Sequence, residues 1–402
     1  MAALSHQPRA LGLLSAVLAA AAAVAAPEAT TRSSLNLDGG GWTLELDPTD
    51  SNVRRMAANG FKVKGPVSVP GAWCAQGFGE ETAALHSQYF GLAYYSRDVA
   101  VSPTLRAAGR TLWLVVERPQ RSVSVVAGGS FVGNHTGYLG KFEGDVTKMV
   151  SSSGSLKLNL TLDAKPGPTD GLEGTSDDVL DEGAIGGWGG IGGHVRLESR
   201  PKAWIVNPHI RHDVPASLGS ASVNASITIG GSGGGSGLSL RVVYKMAATG
   251  NATVGQSHAT CTSSNVCSVP DITVASPQLW SPHSPTLYTA LLQLTDSSGA
   301  TVYDSVAVRF GIKRLEIVGY HFKLNNQFLY LHGYGDDSIY PMSISPPTNF
   351  SFYLDRLKVA RSLGFNYVRH RESCTSPALQ LVRLRQARLL LPHALTRTLT
   401  LH

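Results

Sequence analysis

The chain has 402 residues, of which 43% are hydrophobic and 15% charged, a balance that excludes an intrinsically disordered protein. With 43 glycines and 21 prolines it calls for many turns and few long helices, which points to β structure. The net charge of +6 is uneven, with nine Lys/Arg and two acids from Leu354 onward and a nearly neutral remainder. No basic stripe is interleaved with aromatics, so nucleic acid is set aside as a partner.

At the N-terminus, Arg9 precedes an apolar run from Leu11 to Ala26 that ends in Ala23-Val24-Ala25, with Pro27 beyond. This is the layout of a secretory signal peptide over residues 1–26, cleaved at a small-x-small site. The alternative is a membrane anchor, but the run is shorter than the about 20 residues that a spanning helix needs. The mature chain is therefore expected to lack a membrane span and to be secreted or held in an endomembrane lumen. Sequons at Asn134, Asn159, Asn224, Asn251 and Asn349 fit that destination as glycosylation sites. Cys261 and Cys267 close a short loop and are a candidate disulfide in an oxidising compartment, although their spacing also suits two unrelated thiols. No metal-ligand spacing occurs, and no cofactor motif is read.

Residues 27–200 read as a β-sandwich built from short strands. Thr111 to Glu117 and Ser122 to Val126 are β-rich, and Leu156 to Leu162 alternates apolar with polar. The glycine run from Gly186 to Gly193 is expected to be a loop. Residues 201–312 form a second series of strands, with Ser222 to Ile229 alternating, and have the size of an immunoglobulin-like sandwich. The GGSGGGSG run from Gly230 to Gly237 reads as a flexible loop.

Over residues 313–371 the pattern changes to strand, helix, strand. Phe328 to Leu331 is the expected first strand and Phe365 to Arg369 the second. Between them Tyr353, Leu354, Leu357, Ala360 and Leu363 mark one helix face, with Thr348 as N-cap and Gly364 as stop. One βαβ unit cannot cover its own sheet. Residues 372–402 then break the pattern, and from Ser373 there is no Asp, Glu or Gly. This tail, which includes Cys374, reads as an aberrant, out-of-frame or mis-spliced extension in preference to a basic amphipathic helix at a membrane surface.

Several segments resemble family 2 glycoside hydrolases, in order and spacing. They are VPGAWCAQGFG from Val69 to Gly79, Tyr94 to Arg97, Gly144 to Thr147, and Gly192 to Glu198. Farther on come Trp280 to Tyr288, Phe310 to Lys313, Asn325 to Pro341, and Gly364 to His370. The resemblance spans about residues 38–371 and is nearest the β-galactosidase and β-glucuronidase group. It implies a mainly β fold, with a jelly-roll-like sugar-binding sandwich, an immunoglobulin-like sandwich and the start of a (β/α)8 barrel. The implied partner is a β-linked carbohydrate.

Sites in such barrels lie at the C-terminal strand ends. The resemblance thus marks Asp336, Asp337, Arg369 and His370 as substrate-binding residues, against readings as turn residues, a structural ion pair or a locally bonded histidine. Trp73 and Trp188 are expected to serve packing more than sugar stacking. A retaining glycosidase needs two carboxyl groups roughly 5–5.5 Å apart. The family carries its acid/base in an Asn-Glu pair, and this sequence contains no such dipeptide. Beyond Gly311 the only glutamates are Glu316 and Glu372, and neither matches a catalytic position. No catalytic residue is assigned, and the chain is expected to be a truncated, inactive glycosidase. The other reading is a secreted carbohydrate-binding or adhesion module.

Overall fold

The structure is a computed structural model that describes residues 32–79, 89–137, 140–165, 188–231, 234–336, 340 and 342–370. The signal-peptide segment, Asp337 and the tail with Glu372 and Cys374 lie outside the described residues.

The first sandwich packs a six-stranded antiparallel sheet on a four-stranded one. Strand Ser155–Asp163 lies inside the larger sheet, between Leu92–Ala100 and Ser122–Ala127. Its alternation works as an address: Leu156, Leu158, Leu160 and Leu162 are all buried, while the intervening residues face outward. Facing them, Leu112, Leu114 and Val116 of strand Arg110–Glu117 and Val195 and Leu197 of strand Val195–Pro201 close the core, with Trp42 and Tyr95 as large fillers.

The sequence reading is corrected at two points here. The glycine run is not all loop, because Gly190–Ile191 forms a short strand between Gly71–Ala72 and Pro119–Gln120. Only glycine fits there: a Cβ on Gly190 would sit 2.3 Å from the Gly71 carbonyl oxygen, and one on Gly189 would sit 1.9 Å from the Trp73 ring. Second, helix Ser51–Ala58 interrupts the strands. Asp50 caps it by accepting from the Asn52 N–H at 2.7 Å, and Val53 and Met56 pin it to the core.

The second sandwich has one sheet with Ala203–Asp213, Ser220–Gly231, Val266–Ser268 and Ile272–Ala275. The other orders Ala252–Thr260, Leu238–Met246, Tyr288–Asp296 and Val302–Phe310. Val223, Ala225, Ile227 and Ile229 face Leu240, Val242, Leu292 and Leu294 across the core. Cys261 and Cys267 are joined by a disulfide at the rim of this core, and both are buried. The two sandwiches are tied by a buried ion pair. Arg32 reaches Asp304, whose side chain is wholly buried, and also donates to the Ile205 carbonyl. Arg200 lies over the rings of Trp113 and Trp204, one from each side of the junction.

After residue 313 a three-stranded meander, Leu315–Val318, His321–Leu324 and Gln327–Leu329, precedes a parallel pair. Strand Gly333–Asp336 pairs with Tyr367–His370 through a crossover that contains helix Phe350–Ser362. The expected strand–helix–strand unit is thus present, but its first strand is the glycine-bearing Gly333–Asp336 and not the apolar Phe328–Leu331. Gly333 lies against the Tyr367 ring, so a Cβ there would approach it to 2.4 Å. Phe328 and Tyr330 are largely exposed instead, at 71% and 82%. The helix N-cap is Asn349, not Thr348, since the Asn349 side-chain Oδ1 accepts from the Ser351 N–H at 2.9 Å. Tyr353, Leu357 and Ala360 are the buried face, whereas Leu363 is 65% exposed.

Candidate functional site

The parallel pair positions the residues singled out from sequence. Side chains alternate along a strand. Val368 is 1% exposed and packs with Tyr353 and Leu357 of the helix. Its neighbour Arg369 therefore leaves the opposite face, where it is exposed beside Gly335 in register. A Cβ on Gly335 would meet nothing within 4 Å, so this face is open around the guanidinium. Asp336 is half-buried at the C-terminal end of its strand and in register with His370. Asp336, Arg369 and His370 thus lie at the C-terminal end of the pair, with Asp336 and Arg369 on opposite faces by strand alternation. Asp336 is the only carboxylate within either strand.

Asn366, which the sequence reading passed over, fixes the opposite end. Its side chain accepts from the His332 N–H at 2.9 Å and donates to the Tyr330 carbonyl at 2.8 Å. Its own N–H donates to the His332 carbonyl. An asparagine directly before an apolar strand was the available signal. Glu316 is held by Arg314 in an ion pair on the meander, and Arg314 also donates to the Val214 carbonyl at 2.7 Å.

The VPGAW segment turns the chain at the edge of the first sandwich. Trp73 is completely buried and Trp188 is half-buried against Gly192. Packing accounts for both rings. The Gln76 amide clamps the turn, accepting from the Ser68 N–H and donating to the Ser68 and Ala72 carbonyls. A cleft of about 450 Å³ opens between this turn and the segment leading into helix Phe350–Ser362, and among the described residues its lining carries no charged side chain.

The sequons differ in setting. Asn134, Asn251 and Asn349 are exposed, and Asn349 lines the cleft. Asn159 is half-buried on an interior strand, and the Asn224 amide nitrogen donates to Asp271 at 2.6 Å.

Charge is concentrated where strands Arg110–Glu117, Lys141–Asp145 and Val195–Pro201 adjoin. Arg196 bridges Glu117 and Glu198, and Arg200 bridges Glu198 and Glu143. Burial pushes the Glu198 carboxyl up, but the charges of Arg196 and Arg200 outweigh it and the net shift is downward. Glu143 behaves alike: burial raises it, and hydrogen bonds from Lys141 and Arg200 bring it below its ordinary value. A carboxylate with a lowered folded pKa adds stability above its unfolded pKa and loses it as pH falls through the folded value. Thermal melts should therefore be flat in this contribution near neutrality and fall below about pH 4.5. Glu198→Gln should flatten that acid limb, and an unchanged limb would count against the network.

Among the described residues, no group of three or more His, Cys, Asp or Glu is placed to hold a metal ion, and no helix is long and apolar enough to cross a membrane.

Two β-sandwiches in series followed by a parallel strand–helix–strand unit have the fold of the N-terminal part of bacterial β-glucuronidases. A Bifidobacterium dentium β-glucuronidase, solved with coumarin-3-O-glucuronide, superposes with a TM-score of 0.71 at 21% identity, over 90% of this chain and 61% of that one. A Ruminococcus gnavus β-glucuronidase, solved with D-glucuronic acid, gives 0.70 at 16%, over 90% and 59%. A candidate β-galactosidase from Bacteroides fragilis gives 0.72 at 19%, over 89% and 52%. This chain therefore spans between 52% and 61% of the length of these structures. In sequence, residues 203–313, which make up the second sandwich, match the family model Glycosyl hydrolases family 2. That stretch is similar to the family in sequence, and the fold around it is similar to these solved glycosidases. No curated protein matches it in sequence.

Proposed function

We propose that the chain is the saccharide-handling front portion of a retaining exo-β-glycosidase of β-galactosidase or β-glucuronidase type, made for a secretory lumen or the cell exterior. The observation that carries the reading is the polar set Asp336, Arg369 and His370 at the C-terminal ends of a parallel strand pair, where (β/α)8 enzymes build their sites. The open face around Arg369 is the side away from the helix, which in a barrel would be the lumen. Arg369 then supplies a fixed fork of donors for sugar or carboxylate oxygens. The signal-peptide layout and the Cys261–Cys267 disulfide support an oxidising compartment.

Cleavage needs an acid to protonate the leaving oxygen and a carboxylate to attack the anomeric carbon. The sequence offers no Asn-Glu pair, and Glu316 is engaged by Arg314. These 402 residues are accordingly expected not to hydrolyse aryl β-galactosides or β-glucuronides above the buffer rate. Turnover that disappears with Arg369→Ala would overturn this.

The two closed sandwich cores favour a second reading, a carbohydrate-binding module without catalysis. A glycan array probed with the full chain separates the two. Binding that survives Arg369→Ala supports the module, and no binding to any glycan removes it.

A further inference from the structure

We infer that a glycan attached to Asn349 lies in the cleft between the first sandwich and the crossover segment and holds the two together. The inference rests on the secretory reading above. Asn349-Phe350-Ser351 is a sequon, and Asn349 is exposed and forms part of the cleft wall.

The local geometry suits a sugar-bearing amide. The Asn349 Oδ1 accepts from both the N–H and the hydroxyl of Ser351 at 2.9 Å, so the helix cap uses only that oxygen. N-glycosylation leaves the oxygen in place, and the cap survives modification. The donor is an oligosaccharide on a polyprenyl diphosphate. The Asn349 Nδ2–C1 bond forms and the C1–O bond to the diphosphate breaks. The diphosphate leaves with the bonding electrons, Nδ2 loses one proton, and nothing is oxidised or reduced.

The cleft matches the first sugar in size and chemistry. Its volume of about 450 Å³ falls in the roughly 300–1,000 Å³ range of small-molecule sites. Neutral hydroxyls of Ser68, Ser343 and Thr348 face the polar edge of a pyranose, and Pro70 and Pro346 offer surface to its apolar face. Among the described residues no charged side chain lines the cleft, which favours a neutral N-acetylhexosamine over a uronate or phosphate. Gln76 is fixed by its three backbone bonds, so that wall is formed in advance. Among the other sequons, the Asn224 amide nitrogen is already committed to Asp271, and none of the four lines this cleft.

The test secretes the full chain from eukaryotic cells and reads occupancy of each sequon by peptide mass spectrometry. Hydrogen exchange is then compared with Asn349→Asp, which keeps a capping oxygen and removes the glycan. Asn349 should be occupied, Ser351→Thr should remain occupied, and amides of 68–77 should exchange roughly tenfold more slowly with the glycan than in Asn349→Asp. Occupied Asn134 and Asn251 with an empty Asn349 would overturn the inference and leave the secretory reading intact. Empty sequons throughout would sink both. An occupied Asn349 with the same exchange as Asn349→Asp would place the glycan in solvent and overturn the proposed seat.

Discussion

Arg32→Ala should lower the unfolding free energy by about 3–5 kcal/mol, the cost of stranding one member of a buried ion pair. Asp304 is fully buried in strand Val302–Phe310, and its carboxylate receives Arg32 and the Ile205 N–H, the latter at 2.7 Å. Without the guanidinium, the Asp304 carboxylate in the second sandwich loses the cation opposite it and keeps the Ile205 N–H. The physical origin is testable with a second change. In the Arg32→Ala background, Asp304→Asn removes the stranded charge while its amide oxygen can still accept from Ile205. The double variant should therefore be more stable than Arg32→Ala alone in urea titrations at neutral pH. A single-variant loss below about 1 kcal/mol, the range of an exposed pair, would show that water reaches Asp304.

Trp73→Ala is the second large effect, with an expected loss of about 3–5 kcal/mol for a buried tryptophan cut to a methyl. Its ring fills the angle between the VPGAW turn and the Gly189 backbone, its indole N–H donates to the Tyr89 carbonyl at 3.3 Å, and its backbone N–H donates to the Gly189 carbonyl at 2.9 Å. The void cannot close easily, because Phe78 and the short strand Gly190–Ile191 are themselves fixed. Trp73→Phe should recover much of the loss. If Trp73→Ala instead melts within a degree or two of the parent, the ring is not the keystone of this corner.

The readable parts of the chain are those where one covered face imposes a short period. Leu156 to Leu162 and Ser222 to Ile229 show their sandwich strands because every second residue meets a core. Pairing between distant segments leaves no such mark. The strand Gly190–Ile191 exists because Gly71–Ala72 and Pro119–Gln120 flank it, and its glycine content argues locally against a strand. The same reason shifted the crossover: Phe328 to Leu331 has the better strand composition, but the glycines of Gly333–Asp336 are what allow close pairing beside Tyr367. At the helix start, two polar candidates stand side by side, and only the reach of the Asn349 side chain selects it over Thr348. Of the candidate site, Arg369 and His370 were legible as a strand end and Asp336 as a polar residue after glycine. Their placement in one register needs the folded pair, and Asp337 lies outside the described residues.

The Arg121 guanidinium donates to the Lys165 carbonyl at 2.6 Å, while Trp188 and the short strand after it are seated against the first sandwich. Lys165 and Trp188 are therefore each anchored to the first sandwich by contacts of their own, so loosening one anchor, as Arg121→Ala would, leaves the other in place.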